Sequence, residues 1–488
     1  MFERECFCYE IYVTKALLHF VSLFLAPTYA NGLLTTFDPS KFDPAQAPAI
    51  DSNGLYVTAT TTPYVNGIIN GGKNSPYGDA VQKTSKTDFA PRFGLVWDQR
   101  GDGKTAIRSG FGVFYDSPSV GTVENFVPTN PPFVNFTSIS NTNLSDPASG
   151  IADVNLSPAT IGGVGPNWKQ PYTMMWSFDV QHQITPSTVL DVGYYGSVGR
   201  HLVGILDVNM PQPGAFLSVG IPGPVSGANT QKLNQVRPFK GWDAINQFET
   251  IYTSNYNGLQ AQLQRQFSTN SQVVVNYTWS HALGTASNDF RSPQNTYNIP
   301  GDYGNLDFDR RHVFSASYVY TLPWYRSQQG FSGHVLGGWE LNGIFYANTG
   351  SYSTVSASRD PAGLGVLGNT NSSGRPDLVG NPQSGAPDRV DGWFNKNAFA
   401  LVPAGEVRPG NEPRGTVLGP GYFRWDAALF KNTRITERFN LQFRAEAQNV
   451  LNHTNFNNPN VTFTSSLFSQ ITSARDPRNM QIALKLIF

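Results

Sequence analysis

The carboxyl-terminal segment constrains the fold more than any other part of the chain. Its side chains alternate between polar and apolar, and the apolar set is Met480, Ile482, Leu484, Leu486 and Phe488. This period of two is that of a β-strand with one wholly apolar face. A soluble sheet rarely ends on such a strand, whereas an outer-membrane β-barrel needs an apolar outer surface because that surface contacts lipid. The segment therefore predicts a membrane-spanning terminal strand.

Composition favours strands over helices and indicates no nucleic-acid partner. Aromatic residues make up 13% of the chain and charged residues only 14%. Aromatic side chains suit a pleated sheet, whereas the strong helix formers Lys and Glu are scarce. The 34 basic and 34 acidic residues balance, and no long basic run suggests nucleic-acid binding. We predict an all-β fold.

Alternating segments recur along the chain in pairs, which predicts five hairpins before the terminal strand. Together with the terminal strand they make eleven predicted strands. The paired segments are Arg92–Asp98 with Thr105–Tyr115, Trp176–Gln183 with Thr188–Ser197, Leu259–Phe267 with Val273–His281, His312–Leu322 with Val335–Tyr346, and Phe423–Arg434 with Phe439–Gln448.

Short turns alternate strictly with long connections rich in Asn, Ser, Gly and Pro, at about 116–171, 199–254, 282–311, 347–422 and 451–477. Such long loops are uncommon in compact soluble domains, but outer-membrane barrels have short periplasmic turns and long extracellular loops. This order places Phe488 at the periplasmic rim. Because barrels of this kind have even strand numbers, we expect either a twelfth strand near Gly54–Thr62 or the carboxyl-terminal half of a 22-stranded barrel.

No segment of the sequence predicts catalysis, a metal site or a cofactor. The turn Gly101–Thr105 resembles part of a phosphate-binding loop but leads into a strand, so we expect a hairpin. The charged run Asp307–His312 is expected to form salt bridges on the inner wall or at a loop base. The only cysteines, Cys6 and Cys8, form neither a disulfide framework nor a zinc pattern.

Six polar residues on predicted strands are candidates for lining a lumen. A barrel interior is polar, but polar residues there also solvate the wall and pair between strands, and the sequence leaves both roles open. The candidates are Arg108, Gln260, Gln262, Gln264, Arg444 and Glu446.

The first thirty residues differ from the rest of the chain. Residues Lys15–Ala30 have the charge, apolar core and small-residue end of a secretory signal, but Glu3, Glu5 and Glu10 make the preceding region acidic. Residues 1–30 are therefore read as a signal-like or misannotated segment, and residues 31–488 as one partial β-barrel domain.

Nine segments occur in a recognisable order along the chain. They are Phe37–Pro48, Phe89–Asp98, Gly101–Asp116, Ser187–Leu202, Asn255–Ser268, Val275–Leu283, Asp307–Trp324, Leu336–Phe345 and Phe443–Phe456. Together they resemble the carboxyl-terminal barrel of Oar-like TonB-dependent outer-membrane receptors, and the resemblance covers nearly everything from about Asn31 to Phe488.

The resemblance implies energy-coupled uptake of a large or scarce nutrient through the outer membrane. It implies contact with outer-membrane lipid, a terminal strand recognised by the barrel-assembly machinery, and coupling to the TonB complex through an amino-terminal plug. Neither the plug nor the earlier barrel strands can be recognised here, so we expect a fragment of a receptor for an unknown extracellular ligand.

Two other interpretations remain open. The first is a surface-anchored binding or adhesion protein without active transport. The second is a secreted carbohydrate-active enzyme, which would need paired carboxylates in a cleft; we expect no enzyme activity.

Overall fold

The computed structural model describes residues 34–58, 64–83, 85, 88–116, 130–131, 145, 157–268, 270–367, 374–436 and 438–488. The signal-like segment Met1–Ala30, with Cys6 and Cys8, lies outside these residues. Within them the chain is all-β and mostly antiparallel.

Nineteen strands occur in the described residues. They are β1 (Thr35–Phe37), β2 (Ile68–Asn70), β3 (Arg92–Asp98), β4 (Thr105–Tyr115), β5 (Ala159–Val164), β6 (Tyr172–Thr185), β7 (Thr188–Asp207), β8 (Trp242–Ser268), β9 (Ser271–Gly284), β10 (Gly304–Asn305), β11 (His312–Thr321), β12 (Trp339–Asn348), β13 (Tyr352–Ser353), β14 (Asp377–Leu378), β15 (Phe399–Ala400), β16 (Val417–Leu418), β17 (Tyr422–Arg434), β18 (Asn440–Gln448) and β19 (Asn479–Ile487).

Helical structure is limited to short segments. One α-helix, α1 (Gly330–Leu336), is described, and none of the described helices is both long enough and apolar enough to span a membrane. The 3₁₀ turns are Pro39–Lys41, Pro44–Gln46, Ala215–Val219, Gly227–Asn229, Gln231–Gln235, Ile299–Asp302 and Lys396–Ala398.

One large sheet contains all eleven predicted strands. Their order is β19-β18-β17-β12-β11-β9-β8-β7-β6-β4-β3, so each strand pairs antiparallel with the next long strand of the sequence. Strand β10 joins β9 at its end, and β5 pairs with β8 in parallel. The predicted hairpins and their order are confirmed.

The hairpin of β7 and β8 extends much further than the sequence predicted. Strand β7 continues to Asp207 and β8 begins at Trp242, where irregular loop was expected between 199 and 254. The extensions pair with each other, for example Ile205 with Phe248, and both of these side chains are fully buried. Packing against other loops therefore stabilises strand structure that the alternation pattern alone did not indicate.

The strand predicted at Val335–Tyr346 begins later, at Trp339, because Val335 and Leu336 belong to α1. The connection from β11 to β12 is accordingly longer than the other turns at this end. Gly338 has a positive φ of 73°, and an added Cβ would lie 2.1 Å from the carbonyl oxygen of Asn432. Only glycine fits this approach of the turn to β17.

The prediction of a twelfth strand at Gly54–Thr62 is wrong for the part of this segment that the structure describes. Residues 54–58 form a turn in which Tyr56 bridges to Ile50, and 59–63 lie outside the described residues.

Gly101–Thr105 forms the hairpin turn that the sequence predicts. The carboxylate of Asp98 accepts hydrogen bonds from the main-chain N–H groups of Gly101 and Gly103.

Register divides the large sheet into two faces. On β18 and β19, Phe443 lies opposite Leu484, and Glu446 lies opposite Gln481. Following the pairs across the sheet defines an apolar face, with at least one large hydrophobic residue from each long strand. Representatives are Trp97, Ile107, Val180, Val192, Leu263, Tyr277, Phe314, Phe345, Leu429, Phe443 and Leu484.

The opposite side is a mostly polar face. Its representatives are Asp98, Arg108, Asp179, Asp191, Gln262, Asn276, Ser315, Asn342, Asp426, Glu446 and Gln481. On the apolar face, by contrast, large hydrophobic side chains are strongly exposed, among them Ile482 at 73% and Trp279 at 53%. Such an extensive exposed apolar surface indicates contact with a non-aqueous environment.

Close-packed hydrophobic cores lie among the long loops and the strand segments that extend into them, namely β5 and the extensions of β7 and β8. One cluster joins the connections 349–421 and 449–478 and contains Val355, Phe394, Ala398, Phe399, Val417 and Phe468. Another joins the first described segments to the start of β8 through Phe37, Ile68, Ile161, Trp242 and Ile245. The long loops thus form a folded layer at one end of the sheet, which we call the loop assembly.

The two faces predict opposite responses to the same substitution on neighbouring residues of β19. Ile482→Arg places a charge on the apolar face, where lipid contact would make it cost about 2–4 kcal/mol near the bilayer centre. Gln481→Arg places the charge on the polar face, opposite Glu446. We expect semi-native gel electrophoresis of outer membranes to show much less folded, heat-shifting protein for the first variant only. Equal losses would contradict the assignment of faces.

Candidate functional site

All six residues predicted to line a lumen lie on the polar face. In the strand pairing, Arg108 lies opposite Asp179, Asp179 opposite Gly193, and Gly193 opposite Gln260. Gln262 and Gln264 lie on the same side of β8 as Gln260. Arg444 and Glu446 follow on β18. They form separate groups along this wall because several strands lie between them.

The first group is a charged cluster around Arg108. Its guanidinium lies 3.4 Å from the Asp179 carboxylate and 3.9 Å from that of Asp191, and it also donates to Gln181 Oε1. The two aspartates were missed by sequence reasoning, although they follow the same alternation. The positive charge of Arg108 on β4 thus partly compensates the carboxylates of Asp179 on β6 and Asp191 on β7.

The second group is a ladder of neutral polar side chains. Gln262 Nε2 donates to Asn276 Oδ1 at 2.8 Å, and Asn276 Nδ2 donates to Ser315 Oγ at 3.4 Å. The ladder crosses β8, β9 and β11 perpendicular to the strands. Inter-strand pairing of this kind stabilises the wall.

The third group surrounds a hollow of about 440 Å³ in the polar face, lined in part by Asn342, Asp426 and Glu446. Arg424 Nε donates to Asp426 Oδ1 at 2.7 Å, and Arg444 NH1 lies 3.9 Å from Glu446 Oε1. The side-chain oxygen of Asn342 is buried without a partner among the described residues. The hollow is therefore lined both by small residues and by side-chain oxygen atoms that can accept hydrogen bonds.

A buried arginine organises the loop assembly above β7 and β8. The Arg237 side chain is 3% exposed; it donates to Asp207 Oδ2 at 3.1 Å and to the Asn209 carbonyl at 2.9 Å. It also pairs with Asp243 at 2.8 Å and donates to Asn234 Oδ1 at 3.0 Å. One side chain thus pairs with four polar groups from three places in the chain, as burial of a charge requires.

A second buried centre joins two of the long loops. Asp302, 1% exposed, pairs with Arg375 and, at 2.8 Å, with Arg414. Gln294 Oε1 accepts from Arg375 Nε at 2.6 Å, and Gln294 Nε2 donates to the Gly410 carbonyl at 3.1 Å. The connection 285–311 is thereby fixed to the connection 349–421.

Glu412 is a buried carboxyl group beside this centre. Its Oε1 accepts from the Val355 main-chain N–H at 3.0 Å and from the Thr416 hydroxyl. Burial raises the pKa of Glu412 to about 7, because a low-dielectric environment disfavours the charged form. The group therefore retains its proton to much higher pH than an exposed glutamate.

The charged run Asp307–His312 is divided between different environments. Asp309 lies buried at the loop base, where its carboxylate accepts from the Ala282 main-chain N–H at 2.8 Å and lies 3.9 Å from His281 Nε2. His312 lies on the apolar face, hydrogen-bonded to the Tyr277 hydroxyl. Within the described residues, no group of three or more potential His, Cys, Asp or Glu ligands is placed to hold a metal ion.

A two-faced antiparallel sheet with an exposed apolar side and a polar side is typical of membrane β-barrels. A family profile described as outer membrane beta barrel domain matches residues 22–481. The chain belongs to this family and is a protein of the outer membrane.

Similar solved structures include the outer-membrane transporter YddB from Escherichia coli, with a TM-score of 0.45, 10% identity, and coverage of 83% of this chain and 41% of that chain. The siderophore receptor PirA from Acinetobacter baumannii has a TM-score of 0.41 at 10% identity, with the same coverages. The ferric-catecholate import receptor Fiu from Escherichia coli K12 has a TM-score of 0.37 at 10% identity, covering 86% and 39%.

The chain thus spans about two fifths of the length of these solved structures. A search of curated proteins found no match.

Buried and exposed arginines of the loop assembly provide a matched pair for testing the Arg237 centre. Arg237→Met leaves Asp207 buried without its cation, and breaking a buried pair costs about 3–5 kcal/mol. Arg389→Met removes an exposed partner of Asp391, and both of those side chains are more than 60% exposed, so about 0–1 kcal/mol is expected. Hydrogen exchange across 207–245 should accelerate strongly in the first variant only. Similar exchange in both would argue against an organising role for Arg237.

Proposed function

We propose that the chain forms the carboxyl-terminal part of a TonB-dependent outer-membrane receptor that imports a large or scarce nutrient. The observation that carries this proposal is the combination of a polar wall, an opposite apolar face and a folded loop assembly on one sheet. The ordered motifs that resemble Oar-like receptors support the same conclusion. The nutrient class, whether siderophore, oligosaccharide or peptide, is left open.

The outer edges of β3 and β19 support a larger barrel. Neither edge pairs with another strand of the described residues. Unpaired main-chain N–H and C=O groups cannot remain in a hydrocarbon environment, and barrels remove them by closing. Eleven strands are half of 22, the number in outer-membrane transporters with a plugged lumen. In this proposal, further strands close the barrel and complete the polar wall.

The connections suggest the orientation of the chain in the membrane. The turns between β6 and β7 and between β8 and β9 contain only residues 186–187 and 269–270, whereas the opposite ends of the strands carry the loop assembly. Short turns belong on the periplasmic side and long loops outside the cell. Phe488 then lies on the periplasmic side, as the sequence predicted.

In this arrangement the loop assembly captures the nutrient and the polar face guides it. The buried centres at Arg237 and Asp302 hold the loops in fixed positions, which reduces the ordering cost of binding. Arg108, Gln260, Gln262, Gln264, Arg444 and Glu446 face the lumen, and their spacing offers successive polar contacts. Gating would depend on a plug coupled to TonB, and no chemical reaction is proposed.

The alternative is a surface-binding or adhesion protein in which the barrel is only an anchor. The folded, close-packed loop assembly fits this alternative as well, because a rigid binding surface does not require transport. Both functions use the same loops. They differ in whether the lumen conducts and whether TonB binds.

Fractionation of native cells distinguishes the two functions. An antibody against the carboxyl-terminal peptide should detect a heat-shifting outer-membrane band much heavier than the 53.5 kDa of this chain, and that band should bind the periplasmic domain of TonB. A heat-shifting 53.5 kDa band that does not bind TonB would favour the anchored binding protein. A soluble band unaffected by heating would overturn the barrel.

The terminal strand, with Met480, Ile482, Leu484, Leu486 and Phe488, is proposed as the segment recognised by the barrel-assembly machinery. Phe488 is 91% exposed, so its aromatic ring is available to a partner. Phe488→Asp should strongly reduce the amount of assembled protein, measured by immunoblot of outer membranes. Phe331→Asp is the matched control, because Phe331 is 85% exposed on α1 at the same end. Normal levels of the Phe488 variant would contradict recognition through this residue.

A further inference from the structure

A cavity of about 700 Å³ lies at the loop-assembly ends of β4, β6 and β7. We call it the tyrosine cavity, after Tyr77, Tyr115 and Tyr172, which line it. Its volume is within the range of about 300–1,000 Å³ typical of small-molecule sites. By register, Tyr115 and Tyr172 lie opposite each other and continue the rows of the apolar face. The cavity is therefore separate from the polar face used in the proposed transport.

Aromatic rings form one side of the cavity. The ring centroids of Tyr115 and Tyr172 are 5.5 Å apart, and those of Tyr172 and His201 are 5.9 Å apart in an edge-to-face arrangement. The three rings come from three adjacent strands and make a continuous row. Rows of this kind offer flat apolar surfaces with polar edges.

The backbone of β7 is distorted where it supplies His201. His201 has a φ of 53°, in the left-handed region, and the register of β7 with β8 shifts between Gly199 and Leu202. Bulges of this kind redirect a side chain and occur next to functional sites. Backbone strain at a non-glycine residue persists only when the surrounding structure enforces it. Here the distorted strand carries the His201 ring to the row of tyrosines.

Three buried polar atoms around the cavity have no hydrogen-bond partner among the described residues. They are Gln82 Oε1, Asp88 Oδ2 and Trp168 Nε1, three of the ten such atoms in the described chain. Gln82 is 4% exposed and Trp168 is 5% exposed. A buried polar group that lacks a partner costs about 1–3 kcal/mol. Their concentration at one cavity makes the cavity a candidate binding site, where water or a ligand completes them.

The side chains that carry these atoms are held in place. Trp168 packs with Val164, Ile205 and Phe248 in a hydrophobic cluster. The neighbour of Gln82, Lys83, donates its main-chain N–H to the Pro166 carbonyl at 3.0 Å, which joins the two segments. The other oxygen of Asp88 accepts from Ser85 Oγ at 2.6 Å. Trp168 and Asp88 are therefore held by their own side-chain contacts and Gln82 through its main-chain neighbour, which favours a preformed site.

The chemistry of these atoms selects the ligand. Gln82 Oε1 and Asp88 Oδ2 only accept hydrogen bonds, and Trp168 Nε1 only donates one. A hydroxyl group can do both, so several hydroxyl groups on one rigid ring can satisfy all three atoms. Lys83, Lys169 and Asp88 also line the cavity, so charges of both signs are present and the match rests on the three unpartnered atoms and the aromatic row. The aromatic row completes the match with flat surfaces against which the C–H faces of a sugar ring can pack.

We propose that the tyrosine cavity binds a sugar unit, held by Gln82, Asp88 and Trp168 against the rings of Tyr115, Tyr172 and His201. The sugar can belong to a soluble oligosaccharide or to the headgroup of a glycolipid in the outer leaflet. Both sources present the same hydroxyl chemistry. The site does not depend on transport, so the proposal is compatible both with a transporting receptor and with an anchored binding protein.

Binding is tested with the full-length native protein, purified in detergent and reconstituted into nanodiscs. Saturation-transfer NMR is run with maltotetraose, cellotetraose, chitotetraose and mannotetraose as soluble probes. A second arm measures binding of detergent-purified protein to nanodiscs that contain or lack lipopolysaccharide. Binding of any soluble tetrasaccharide supports a soluble source, and binding only to nanodiscs with lipopolysaccharide supports a glycolipid headgroup. Absence of binding in both arms overturns the proposal.

Two variants locate the site. Trp168→Phe removes the indole donor while retaining an aromatic ring and should weaken binding about 3- to 10-fold, the loss expected for one hydrogen bond. Tyr172→Ala removes the central ring of the aromatic row and should weaken binding at least 10-fold. Trp324→Phe is the control, because Trp324 is exposed on the connection from β11 to β12. Binding that is unaffected by both cavity variants would overturn the assignment even if sugars bind elsewhere.

Discussion

Pairing of main-chain hydrogen-bond groups between neighbouring strands is the constraint on which the rest of this structure depends. Each long strand between the two edges of the sheet, from β4 to β18, pairs with an antiparallel neighbour on both sides. This pairing fixes the register, and the register decides which side chains share a face. A shift of one residue on a single strand would exchange its polar and apolar rows. The exposed apolar face and the polar face are thus consequences of one continuous set of hydrogen bonds.

The distribution of hydrophobic side chains follows from that constraint. Large apolar residues of the sheet remain exposed, whereas close-packed cores and buried ion pairs occur in the loop assembly. Arg237 and Asp302 are each held by several partners, so the loops pack like a small globular domain at the end of a sheet whose apolar face is exposed. The two parts of the molecule therefore show opposite patterns of burial, as the proposed position of the sheet in the outer membrane requires.

Much of the sheet could be predicted from the sequence. Alternation in segments such as Phe439–Gln448 was strong enough to identify the strands, and it correctly placed Arg108 and Glu446 on one face. The extension of β8 back to Trp242 could not be predicted, because its residues are buried on both sides and lose the alternating pattern. The helix α1 was missed for a related reason, since seven residues are too few for a clear helical period.

The sequence by itself determined the class of fold, the hairpins of the long strands and the side of the sheet on which their alternating residues lie, because strand periodicity is a local property of the chain. Tertiary structure decided what the long loops form. Asp302 pairs with Arg375 and Arg414, and Gln82 and Trp168 line one cavity, across distances in sequence that no local pattern spans. These contacts depend on how separate loops pack, and packing becomes defined only when the sheet has brought the strand ends together.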